Sequence, residues 1–152
     1  MVSSGHEAVT VTVEQVPRPR QIKHTNPLGT RHGTALSASV QVFLAEMPHE
    51  QAVALVESGL PALPQAGAAA IAAYRQRLLT CAERGYAINY GETSPEEVGI
   101  AALIRDHRGE AVAAIVLAAP FYRVPESSLP HIGEACTKTA TQISARLWAT
   151  PA

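Results

Sequence analysis

The sequence predicts a single α+β domain, an antiparallel sheet with helices on one or both faces. Three observations predict it. A strand-like run opens the chain, helical periodicity fills its middle, and further strands with one long helix close it. The stretch Gly99–Pro120, GIAALIRDHRGEAVAAIVLAAP, reads as two apolar strands around the polar turn Asp106-His107-Arg108-Gly109, a hairpin pattern. Apolar residues make up 47% and charged residues 16% of 152 residues, which suits one folded domain with its own core and not a disordered tail.

Taken in order, residues 1–5 read as a flexible N-terminus and 6–150 as the folded domain. From His6 to Val16 the residues alternate, with Val9, Val11 and Val13 on one side and Thr10 and Thr12 on the other, the pattern of a half-buried strand. Pro17 and Pro19 break it and open a basic stretch through His24 that suits a short edge strand. Asn26-Pro27-Leu28-Gly29 is a turn. From Thr34, Leu36, Val40, Phe43, Leu44 and Met47 recur at helical spacing until Pro48 stops the run. A short helix follows over His49–Ser58, ended by Gly59. After a loop rich in Pro and Gly, Ala68–Arg84 forms a helix with Ile71, Tyr74, Leu78 and Cys81 or Ala82 on one face. Tyr86–Asn89 is a short strand and Gly91–Glu96 a polar loop. The last helix begins near Glu126 or Ser127, and Leu129, Ile132, Cys136, Ala140, Ile143 and Leu147 form its apolar stripe.

The hairpin carries the first hint of function. Pairing Arg105 with Glu110 sets Leu103 opposite Val112, Ala101 opposite Ala114 and Gly99 opposite Val116. Side chains alternate faces along a strand. One face therefore holds Gly99, Ala101, Ala114, Val116 and Ala118, nearly all small, and the other Ile100, Ile104, Ile115 and Leu117. The bulky face needs helices to cover it. The small face either leaves room for a ligand or lets a helix approach closely.

Several function classes are excluded or disfavoured. A net charge of −1 does not suit gripping nucleic acid, since phosphate binding needs a basic face. No apolar run reaches the roughly 18–20 residues that cross a bilayer. The N-terminus lacks the basic and apolar regions of a secretion signal, so a cytoplasmic location is expected. The six histidines form no metal-binding motif, and no metal or cofactor is expected. No nucleophile elbow or phosphate loop occurs, and Cys81 and Cys136 fall on apolar helix faces, where a cysteine behaves as a small hydrophobe. The residues point to binding and not to catalysis.

Two stretches together resemble the C-terminal effector-binding domain of IclR-type transcriptional regulators. The more specific is Glu83–Arg123, where Gly85-Tyr86-Ala87, Ile100-Ala101-Ala102, Arg105-Asp106, Gly109, Val112-Ala113-Ala114, Pro120 and Arg123 follow the family pattern in order. The weaker is Gly29–Pro48, at Gly29, Arg31, Ala38, Leu44, Ala45 and Pro48. The resemblance spans nearly the whole chain from His6. It implies a GAF-like fold, a curved antiparallel sheet with helices around it and a small-molecule pocket on one side. It also implies an N-terminal winged helix-turn-helix that binds DNA, which this chain lacks, so the chain is expected to be an excised fragment; a free-standing GAF-like module and, further off, a small Cys-dependent enzyme are the alternatives.

With a pocket of that kind, the candidate ligand contacts are Arg31, His32, Ser37, Ala38, Ser39, Asn89, Tyr90, Gly99, Ala101, Val116 and Ala118. Family members carry polar groups where this chain has Gly99, Val116 and Ala118. They also carry Asp at Asn89, His at Ala35 and Gly-Lys at Val40-Gln41. A carboxylate buried against apolar replacements would lack partners. The expected ligand is therefore larger or more apolar than a small keto acid, oriented by Asn89, Ser37, Ser39 and His32, with Tyr90 stacking at the mouth. A homo-oligomer, dimer or tetramer, is also expected, formed through the alanine-rich stretch Ala66–Ala73 and the last helix.

Overall fold

The computed structural model describes residues 9–16, 27–65 and 67–148. Its elements run β1 (Thr10–Val11), β2 (Arg31–His32), α1 (Ala38–Glu46), α2 (His49–Glu57), α3 (Ala68–Arg84), β3 (Ala87–Tyr90), β4 (Glu97–Arg105), β5 (Ala111–Pro120) and α4 (Leu129–Trp148). The α+β class holds. Strands β3, β4 and β5 form an antiparallel sheet in that spatial order. One face of this sheet packs on α4, the other on α1, and α2 and α3 lie beyond α1.

Helix α1 is the middle layer, and its sequence says why. Every residue from Ala38 to Leu44 is buried, as expected of a helix that is covered all round. Ala38 and Val42 face the sheet at Ala87 and Ala101. Val40 and Leu44 face Val56 of α2 and Tyr74 and Leu78 of α3. Met47 ends the helix with its N–H on the Leu44 carbonyl, one residue before Pro48. On α3 the buried side is Tyr74, Leu78 and Cys81, with Ala82 exposed.

The hairpin keeps its predicted faces through a different register. Arg105 stands opposite Ala111 and not Glu110, and a bulge between Ile104 and Arg105 adds a second one-residue step. The observed partners are Leu103 with Ala114, Ala101 with Val116 and Gly99 with Ala118. A slip of one residue would have turned every side chain over, whereas two return each to its own face. Gly109, at φ 78°, takes the left-handed conformation that closes the turn.

The N-terminal strand ends at Val11, five residues before the predicted Val16. Among the described residues, only Thr10–Val11 pairs, with Arg31–His32, although Thr12 and Thr30 extend the ladder by one bond. Its valines do not form the buried side: Val9 and Thr10 are buried, while Val13 is 81% exposed. The physical reason is Thr10, whose hydroxyl meets that of Ser39 at 2.6 Å and so turns the threonine side toward α1. The turn at Pro27–Thr30 is present, closed by the Thr30 N–H on the Pro27 carbonyl. The basic edge strand expected after Pro17 lies outside the described residues.

Candidate functional site

The start of α1 is fixed from three sides. The Ala35 N–H donates to the Ala62 carbonyl at 2.8 Å, and the Tyr74 hydroxyl donates to the Ala35 carbonyl. Burial pushes the Tyr74 hydroxyl well above its ordinary pKa, so it remains a donor. The Gln41 amide nitrogen donates to the Leu36 carbonyl at 2.8 Å and to the Ile88 carbonyl of β3 at 3.1 Å. Ser37 at the N-cap makes no side-chain capping bond, and no acidic residue stands in the first turn. The first backbone N–H groups of the helix thus have no cap from the Ser37 side chain.

Beneath that helix start lies the small face of the sheet. Asn89, Gly99 and Ala118 form one cross-strand row, and Ala87, Ala101 and Val116 the next. Helix α1 closes one end of this face. There Glu46 grips Arg105 through two bonds of 2.6 and 2.7 Å, and Phe43 joins a cluster against which Ala111 and Ala114 pack. At the other end Ala38 seats on Gly99, where an added Cβ would lie 3.7 Å from the Ala38 methyl. Beyond it the β5 side stays open, with Ala118 half-buried and Val116 45% exposed. Helix α1 thus runs along the face from Gly99 to Arg105, and the open part lies on β5 at Val116 and Ala118.

The structure brings Ser37, Ala38, Asn89, Gly99, Ala101, Val116 and Ala118 to this face, Ser37 at the N-cap of the helix above it. Asn89 is buried and held, its amide nitrogen on the Thr93 hydroxyl at 2.6 Å and its oxygen on the Glu92 N–H at 3.0 Å. Glu92 is in turn fixed to Arg77 of α3 at 2.7 and 2.8 Å. Ser39 is engaged with Thr10, and His32 Nε2 lies 3.2 Å from the Thr12 hydroxyl. These two tie the β1–β2 ribbon together and to α1, and Arg31 is exposed on that ribbon.

Tyr90 does not fit the expected place at the mouth. It pairs with Val98, which in turn pairs with Ala119, and this row points to the α4 side of the sheet. There its ring lies 4.4 Å from that of Phe121 and its hydroxyl donates to the Val124 carbonyl at 2.7 Å. Alternation along β3 separates it from its neighbour Asn89.

Sequence reasoning gave no role to Gln41, although a lone amide within the apolar run Leu36–Met47 is a visible signal. It is fully buried, and its Oε1 has no hydrogen-bond partner. Elsewhere an open groove of about 650 Å³ lies between the end of α2 and the start of α3, lined by Val56, Leu63, Ile71 and Arg75 among others. None of the expected site residues lines it. Both cysteines are buried, and burial raises both thiols, Cys81 to about 11. Such thiols are poor nucleophiles at neutral pH.

The fold and this layout can be set beside known proteins. Residues 2–145 match the family model described as bacterial transcriptional regulator IclR, C-terminal. The chain belongs to the IclR C-terminal domain family. No match was found among curated protein sequences. Among solved structures, a targeted domain of an IclR-family transcriptional regulator is 43% identical, with a TM-score of 0.83, over 95% of this chain and 87% of that one. The Agobacterium tumefaciens repressor BlcR is 23% identical with a TM-score of 0.71, and this chain covers 59% of it at 93% of its own length. The inducer-binding domain of the Acinetobacter transcription factor PobR, solved as a double mutant with 3-hydroxybenzoic acid, is 16% identical with a TM-score of 0.68, over 90% of this chain and 86% of that one. The last two likenesses concern the fold. The family is one of bacterial transcriptional regulators, and no helix among the described residues of this chain is long and apolar enough to cross a membrane.

Proposed function

We propose that this domain senses a small organic effector at the open corner between the start of α1 and the β4–β5 strands. The observation that carries the reading is the pairing of an uncapped helix start with a wall of Gly99, Val116 and Ala118. The helix start offers N–H dipoles to one polar group, and the wall offers apolar surface to the rest of the molecule. Asn89, Ser39 and His32 already spend hydrogen-bonding capacity inside the protein. Few polar groups remain for a ligand whose whole surface is polar.

The effector is therefore more apolar than glyoxylate or pyruvate, with an aromatic or branched body against β5. The 3-hydroxybenzoic acid held by the PobR domain is of that class. Ligand occupancy biases how copies of the domain associate, and through a DNA-binding domain outside this chain it sets operator affinity in the cytoplasm. Self-association is the second half of the reading. It uses α4 and the exposed alanines of α3, Ala68, Ala69, Ala72 and Ala73.

Equilibrium binding of a panel with glyoxylate, pyruvate, benzoate and the hydroxybenzoates tests the ligand class. Micromolar binding of an aromatic acid, weakened by Ala118→Asp, is the expected result. Tight binding of pyruvate or glyoxylate with none of the aromatics would overturn it. Native mass spectrometry of the same samples reads the subunit count.

A further inference from the structure

We infer that the groove between α2 and α3 docks a second copy of this chain, with the two α3 helices antiparallel about a two-fold axis near Ala72. The inference rests on the self-association half of the reading above and names its surface. The groove, of about 650 Å³, has an apolar body that includes Val56, Leu63 and Ile71. Its α3 wall runs through Ala68, Ala72 and Arg75, and beside that wall Ala69 and Ala73 are exposed. Arg75 lies 3.4 Å from Glu50 in the first turn of α2, while Glu57 at the end of α2 lines the groove together with Gly67 and Ala68. The two helices therefore run antiparallel. Glu50 and Glu57 stand about 10 Å apart along α2 at the rise of an α-helix. The groove thus carries a cation at one end and an anion at the other.

Those two charges decide the occupant. Glu57 is exposed and meets no cation among the described residues. Arg75 keeps most of its donors, since its ion pair is a single contact of 3.4 Å to a carboxylate 80% exposed. A small effector with one acid group answers only one end. A second copy answers both. Half a turn about an axis near Ala72, between Ala68 and Arg75, lays the Arg75 of each copy over the start of the other's α3, where Glu57 stands. The same rotation sets the exposed ridge of Ala69 and Ala73 against the apolar body of the facing groove. Alanines at such a contact bring helix axes to the short end of the usual range of roughly 8–10 Å. A stable dimer buries about 800 Å² on each partner, which two exposed ion pairs do not supply. The apolar ridge and groove therefore carry the affinity, and the charges fix the register.

The test is a charge swap read in solution. Sedimentation equilibrium measures the self-association constants of wild type, of Glu57→Arg, of Arg75→Glu and of an equimolar mixture of the two variants. Each variant alone sets like charges against each other at both ends of the contact, and its dissociation constant is expected to rise about tenfold or more. In the mixture one copy of each variant brings Arg against Glu at both ends, and the wild-type constant is expected to return. A role for Arg75 confined to its own chain, through Glu50, would not produce that recovery. Amide exchange over residues 68–76 of the wild type needs no variant to fold, and it is expected to slow as protein concentration rises. Exchange independent of concentration, or constants unchanged in both variants, overturns this surface and leaves association through α4 standing. Weakened variants whose mixture stays dissociated overturn the pairing of Glu57 with Arg75. A wild-type chain that is monomeric at every concentration overturns the surface and the self-association reading together.

Discussion

The two faces of one three-stranded sheet are built to opposite ends. On the α4 side, Ile100, Ala102 and Ile104 pack against Cys136 and Ala140, with the Tyr86 ring filling the space beside Gly133. The Ser144 hydroxyl takes the Arg105 N–H at 2.9 Å and donates to the Ala140 carbonyl at 2.8 Å. The Trp148 indole donates to the Arg105 carbonyl at 3.0 Å. On the α1 side the residues are small, Ala38, Val42 and Phe43 pack with Ala87 and Ala101, and β5 is left open at Val116. The same strands thus carry stability on one face and leave room on the other.

That contrast breaks most sharply at two positions on adjoining strands that face opposite sides of the sheet. Ile100 is fully buried in the α4-side cluster, and Ile100→Ala removes packed atoms and leaves a cavity, at a cost of about 2–5 kcal/mol. Val116, half open to solvent on the α1 side, loses little, so Val116→Ala costs below about 1 kcal/mol. Urea denaturation of both variants measures the difference. Comparable losses would mean that the α1 face is as much a structural core as the other.

Two glycines sharpen the same point with smaller effects. A Cβ on Gly133 would overlap the Tyr86 ring. That ring is held from its own chain by the Arg84 guanidinium, 4.6 Å from its centroid, and cannot yield easily. Gly133→Ala gains helix propensity of about 1 kcal/mol but loses more to the overlap, for a net destabilisation of about 1–3 kcal/mol. Gly99→Ala meets only ordinary contacts, at 3.7 Å to Ala38 and 4.0 Å to Asn89. Its stability is expected unchanged or raised by about 0.5 kcal/mol, while its added methyl group narrows the corner and weakens effector binding. Unfolding midpoints together with the binding panel separate the two outcomes.

How much of this was legible in sequence follows from which signals are local. Helices α1 to α4 and the hairpin were readable because their apolar periodicity is long and their ends are marked by Pro48, Gly59 and Gly85. The α4 contact line was only half readable. Its buried residues include Gly133 and Ser144, while Leu147 of the apolar stripe is 55% exposed. Gly133 serves the shape of a distant ring and Ser144 the N–H freed at a bulge, and neither need is visible in α4 alone. The register escaped for the same reason, since a bulge opposite Arg105 has no composition of its own. At the site, alternation set Gly99 and Ala118 on one face but opposed Gly99 to Val116, and the same alternation along β3 puts Tyr90 on the side of the sheet away from Asn89. Gln41 escaped because burial all round α1 could not be read from a helix whose second covering layer is the sheet itself.

The smallest effect concerns how each face is fastened at the hairpin end. Arg105 is bound on the α4 side through its backbone, by Ser144 and Trp148, and on the α1 side through its guanidinium, by Glu46. The first fastening is neutral and indifferent to pH, and the second is ionic. The hydrogen bond from Arg105 holds the Glu46 carboxyl below its ordinary pKa, against a partial opposing effect of burial. A depressed folded value means stability that is fully present above the unfolded glutamate pKa of about 4.3. It is lost as pH falls below that value and through the folded one. The Glu46 and Arg105 side chains are 42% and 35% exposed, so solvent screening limits the gain to about 0.2–1 kcal/mol. Glu46→Gln is therefore expected to flatten the fall in stability between about pH 5 and 3 by that amount. Amide exchange at acid pH should show the end of α1 loosening while α4 stays protected. Equal loosening of both helices would mean that the two faces are fastened as one.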